Sequence, residues 1–139
     1  MRVAVPVLLL TLSCASGPPQ PAALSLGNDT CSHCRMVVSD PHFAAQLIAP
    51  GEEPRFFDDI GCLASYLKSN PLSPSAVTFV ADHRSGEWIN AMYAIYTRAD
   101  SLDTPMGSHL IAHLDEPSRD ADPVAAKGVA QTYDDVFGD

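Results

Sequence analysis

The side-chain pattern changes period several times along the chain, and each change marks an element. Residues 37–39 and 43–48 are short β-branched and apolar runs on either side of Asp40-Pro41-His42. Proline fixes the backbone there and aspartate accepts local hydrogen bonds, so the pattern predicts two strands joined by a turn. Between residues 60 and 69 the period becomes helical, with Ile60, Leu63 and Leu67 on one stripe. Asp58 or Asp59 can cap the start of that helix, Lys68 suits its negative end, and Asn70-Pro71 stops it. Residues 76–80 then read as a third strand.

A polar turn over residues 82–86 opens the second half. Residues 87–90 and 92–98 are strand-like, with Met92 packed inside the pattern and Trp88, Tyr93 and Tyr96 as core or interface aromatics. Residues 108–114 alternate, placing His109, Ile111 and His113 opposite Leu110, Ala112 and Leu114. A short helix is expected between residues 118 and 127, capped by Gly128, and a last strand over residues 129–133. Gln46-Leu47-Ile48-Ala49 is echoed by His109-Leu110-Ile111-Ala112, and an acidic residue and a proline follow each copy. The expected fold is therefore α+β, two related small ββαβ units packed together, over residues 26–82 and 83–139.

The amino terminus adds a location. Met1-Arg2 and an apolar run to Leu12 read as a signal peptide over residues 1–13, too short to span a bilayer. Cys14 follows Leu10-Thr11-Leu12-Ser13, a permissive lipobox, so lipidation at Cys14 is expected. Residues 14–25, rich in Pro, then serve as a semi-rigid tether. The protein would face the periplasm from the cell envelope and touch the membrane only through that anchor. A formal net charge of -9 disfavours nucleic acid as a partner.

The chemistry centres on Cys31-Ser32-His33-Cys34-Arg35-Met36. Two thiols on a tight turn can face one ion, and an extended chain after them puts Met36 on the same face as Cys34. Met106 lies between Pro105 and Gly107, on a turn that neither a helix nor a strand can absorb. Thiolate and thioether donors suit Cu(I), and His109, close to Met106, is the best imidazole candidate. Cys62 is read as a buried core residue of the helix stripe rather than as a ligand. With Cys14 lipidated, an odd number of cysteines remains outside the reducing cytosol, so at least one thiol is free or metal-bound. A thiol-disulfide oxidoreductase and a zinc-stapled structural module are the competing classes. The strand expected after Met36 argues against the first, since a thioredoxin-type motif opens a long helix. No nucleophile and base pairing, phosphate loop or paired carboxylates point to hydrolysis or phosphoryl transfer.

Cys31-x-x-Cys34-x-Met36, Phe57-Asp58-Asp59-Ile60-Gly61-Cys62, Trp88-Ile89-Asn90-Ala91 and Thr104-Pro105-Met106-Gly107, in that order behind a lipobox, resemble the NosL family of copper-binding lipoproteins. The resemblance runs from Cys31 to about Phe137. It implies a non-enzymatic copper chaperone that delivers Cu(I) to a periplasmic copper enzyme, nitrous oxide reductase, or to its assembly machinery. It also implies a fold of two ββαβ units. The chain departs from the family pattern at Arg35, where Gly is usual, and at His109 and His113, where relatives tend to carry Gly and apolar residues.

Overall fold

The computed structural model describes residues 17–138, so the signal peptide and Cys14 lie outside the described residues. No helix among them is long and apolar enough to cross a membrane. Two antiparallel sheets carry the fold. The first contains β1 (Ala45–Ile48), β2 (Arg55–Phe57), β3 (Val77–Ala81) and β4 (Trp88–Asn90) in the order β2-β1-β3-β4. The second contains β5 (Ile95–Arg98), β6 (Leu110–His113) and β7 (Val129–Gln131) in the order β6-β5-β7. Helix α1 (Ile60–Ser69) follows β2, α2 (Glu116–Asp120) follows β6, and α3 (Tyr133–Phe137) closes the described chain.

The mixed α+β class and the duplicated strand, strand, helix, strand order are as expected from the sequence. β1, β2, α1 and β3 correspond to β5, β6, α2 and β7, and the register agrees: Ala45 pairs with Phe57 as Ile95 pairs with His113. Asp59 and Asp115 occupy the same N-cap position, accepting from the N–H groups of Gly61 and Ser118. β4 follows residue 82 in the chain yet hydrogen-bonds into the first sheet through β3. The halves are therefore interlocked rather than side by side. One core cluster runs across them, joining Phe57, Ile60 and Leu63 to Tyr96, Ala112 and Val136.

Several expectations need correction. The 37–39 run forms no strand, only an isolated bridge from Val37 to Thr30, so there is no hairpin to β1. Arg55–Phe57 form strand β2, which the side-chain pattern had not marked. Residues 91–93 form a 3-10 turn that leaves Met92 and Tyr93 exposed instead of packed. Tyr133 begins α3, which a capping box between Thr132 and Asp135 starts. The four-residue echo pairs β1 with β6, strands that do not correspond.

A further internal likeness lies in two turns that have no identical residue at matching positions. Cys31 forms a parallel bridge with Phe56, and Asp82 one with Ala112. The Cys31 N–H donates to the Met36 carbonyl (2.8 Å) and the Asp82 N–H to that of Glu87 (2.8 Å). The Ser32 N–H reaches Phe56 O and the His83 N–H reaches Ala112 O, each at 2.8 Å. Both turns pass through the left-handed region at the same point, Arg35 with φ 68° and Gly86 with φ 74°. Glycine adopts that conformation freely, whereas an arginine there costs about 1–2 kcal/mol.

Candidate metal centre

Cys31 and Cys34 sit on the first of these turns, whose hydrogen bonds fix both side chains on the same side. The N-terminal turn of α1 brings a third sulfur to them, because the Asp59 cap sets where that helix begins. Cys31, Cys34 and Cys62 each offer a sulfur within 4.8 Å of the other two, and all three are free thiols. Cys62 is buried, as its place on the apolar stripe implied, but the stripe ends at the thiol pair.

The three sulfurs are electrostatically unlike. The Cys62 S–H and the N–H groups of Asp58, Cys34 and His33 point at the Cys31 sulfur. Against the cost of burial they hold its pKa down to about 4, so Cys31 is a thiolate at neutral pH. Cys62 moves the other way, first because its proton is held by that thiolate and then through burial. Burial also raises Cys34. Burial and the shared hydrogen bonds thus favour a single negative charge on the trio, at Cys31.

A cavity of about 280 Å³ opens beside Cys62, lined by His33, Gly61, Ser65, Met106 and Ser108 as well. Met106 therefore shares a cavity wall with Cys62, and it is 45% exposed. One carboxylate holds the two walls together. Asp59 Oδ1 accepts from the Gly61 N–H (2.7 Å), while Oδ2 accepts from the Thr104 hydroxyl (2.7 Å) and the Met106 N–H (3.0 Å). Asp59 is fully buried, so the cap of the Cys62 helix and the anchor of the Met106 loop are a single group. Gly61 permits the approach: a Cβ there would lie 2.6 Å from Ser108 Cβ.

The other expected site residues lie further from this arrangement. Met36 does not line the cavity and is 56% exposed. His109 does not line the cavity. Its Nδ1 is 2.7 Å from the Leu102 carbonyl, and its φ of 59° places it in the left-handed region, so the ring pins the Met106 loop. Sequence reasoning missed the second task of Asp59, since a cap residue shows only its helix role, and it did not name His33, which lines the cavity, as a candidate. Chemically, the cluster can hold a soft ion through two or three sulfurs and leave an open side toward Met106.

The NosL family model matches residues 22–137. A crystal structure of the copper chaperone NosL from Shewanella denitrificans superposes with a TM-score of 0.69 at 18% identity, over 86% of this chain and 98% of that one. No curated protein sequence matches the chain.

Proposed function

Since the chain belongs to the NosL family, we propose that it is a Cu(I) carrier of the cell envelope, lipidated at Cys14, that passes its ion to nitrous oxide reductase or to the machinery assembling it. The observation that carries the reading is the convergence of three free thiols beside a cavity that Met106 also lines. The crystallised relative is described as a copper chaperone, which supports the choice of ion.

Cys31 acts as the fixed anchor, buried and already charged. Cys34 and Cys62 each lose a proton as they bind, so loading releases protons and tightens as pH rises. Met106, and Met36 from the exposed chain after Cys34, supply neutral thioethers. His109 holds the Met106 loop through its ring contact with the Leu102 carbonyl and gives no donor to the ion. A recipient can displace a weak exposed thioether before it reaches the buried thiolate, so ligands exchange stepwise and the ion is never free. No bond in the cargo is made or broken by catalysis, and a carrier of this kind is not an enzyme.

The test is a competition between the reduced protein and a Cu(I) chelator under anaerobic conditions. The native chain is expected to hold one equivalent, and Cys31→Ser with Cys34→Ser to lose it. Unchanged competition by the double variant would overturn the proposal. Stoichiometric zinc in the purified protein would favour the structural reading, and turnover with a dithiol the redox one.

A further inference from the structure

The second repeat holds a cluster of titratable side chains that the thiol centre does not use. His83, His113 and Asp122 each offer a donor atom within 4.8 Å of the other two. They come from separate segments: the turn after β3, the end of β6 and the chain beyond α2. Asp122 Oδ2 lies 2.6 Å from His83 Nδ1 and 3.0 Å from His113 Nε2, while its Oδ1 accepts from the Val124 N–H (2.9 Å). His113 and Asp122 are buried, and His83, with 15% of its side chain exposed, stands at the way in.

The fold does not require polar groups at this place. In the first repeat the register position of His113 is held by Phe57 and the turn position of His83 by Ser32, and Tyr66 of α1 covers the Phe57 ring. There the Phe57 and Tyr66 rings pack with centroids 5.2 Å apart. The same frame thus closes this space with an aromatic contact in one half and with two imidazoles and a carboxylate in the other. Burying those groups carries a desolvation cost that their hydrogen bonds only offset. The His113 ring also has a buried Nδ1 with no partner among the described residues. Because the Asp122 carboxylate only accepts, Nε2 carries the ring proton in the empty cluster, and an incoming ion takes that proton's place while the unpartnered Nδ1 can carry it instead.

We infer that His83, His113 and Asp122 form a second metal site, which takes a divalent late first-row ion of the zinc class through His83 Nδ1, His113 Nε2 and Asp122 Oδ2. Imidazole and carboxylate donors suit Zn(II), Co(II) and Ni(II), whereas Cu(I) prefers the sulfur centre, so the two sites sort ions by softness. A carboxylate oriented by a backbone N–H and a histidine fixed through its own backbone are supports that metal sites use. His83 has both its N–H and its carbonyl engaged, with Ala112 O and His42 Nδ1. Metal bonds of about 2.0–2.2 Å place donor atoms further apart than hydrogen bonds do, so uptake replaces two hydrogen bonds and slightly opens the cluster.

The test titrates Co(II) into the untagged reduced chain whose sulfurs have first been filled with one equivalent of Cu(I). A parallel arm uses the chain with Cys31, Cys34 and Cys62 all changed to Ser, which makes the result independent of the copper reading. Either arm should bind one Co(II) with visible d–d absorption and no thiolate-to-cobalt charge-transfer band, and Zn(II) should displace it. His83→Gln, at the partly exposed position, should weaken binding by at least about tenfold, and Asp122→Asn by more. No Co(II) uptake outside the sulfur centre, or uptake unchanged by both substitutions, would overturn the inference.

Discussion

The 31–36 turn and the 82–87 turn are one backbone with two chemistries. In the first, N–H groups and the Cys62 S–H surround the Cys31 sulfur. In the second, the N–H groups of Arg84 and Ser85 (2.9 Å each) and Leu114 (2.8 Å) and the Ser118 hydroxyl (3.0 Å) surround the Asp82 carboxylate. Ser118 stands where Cys62 stands, the same distance past the N-cap. Although burial opposes its ionisation, those donors hold Asp82 at about 2. Peptide groups aimed at one point make a seat for an anion whatever atom carries the charge. The oxygen version spends its charge on closing the turn. The sulfur version, with weaker and longer hydrogen bonds, such as 3.5 Å from the Cys34 N–H, keeps a soft lone pair for an ion.

The most severe way to break this comparison is to put the second chemistry into the first turn. Cys31→Asp should keep the fold, since the seat accepts a carboxylate, while Cu(I) affinity in a chelator competition falls by more than about a hundredfold. The reverse loss is structural. Asp82→Ala removes a buried carboxylate shared by four donors and should cost about 2–4 kcal/mol in chemical denaturation, with copper binding intact.

Acid-base linkage sharpens the contrast. Between about pH 4 and pH 9 the unfolded chain keeps a proton on Cys31 that the folded chain lacks, so the stability of the reduced, metal-free protein should rise with pH. Above pH 9 Cys34 and Cys62 hold protons that the unfolded chain releases, and stability should fall. Cys31→Ser should remove the rise. Denaturant midpoints measured across that range check both limbs.

Smaller effects follow at the edges of the site. Gly61→Ala would drive the Met106 loop from α1 and should weaken Cu(I) retention by about tenfold, roughly one ligand's share of a multidentate site, while leaving the thiols reactive. Arg35→Gly should stabilise the apo protein by up to about 1 kcal/mol, and Gly86→Arg should do the opposite, because only the glycine is at ease at that φ.

Much of this was legible in the sequence. Helix α1 announced both its ends through an apolar stripe, an aspartate cap and Asn70-Pro71, and β3, β5 and β6 followed from their β-branched and alternating runs. Strand β2 did not, because Arg55-Phe56-Phe57 is short and runs straight into the acidic cap. The pairing of the two turns was hidden for a deeper reason: backbone hydrogen bonds and one left-handed residue define them, and they have no identical residue at matching positions. A visible echo between β1 and β6 drew attention to the wrong match instead. In the site, Cys31, Cys34 and Met106 stood out by spacing and by punctuation with Pro and Gly. Cys62 did not, since a cysteine on an apolar stripe looks the same whether it faces leucines or two more sulfurs. His113 and Asp122 meet only through tertiary packing, and no local pattern joins them to His83.

X-ray absorption at the copper edge of the reduced chain loaded with one equivalent of Cu(I) tests the central claim most directly. Sulfur alone in the first shell is predicted, with scattering reduced when Cys62 is changed to Ser. A shell of nitrogen and oxygen, or a spectrum indifferent to Cys62, would contradict the account.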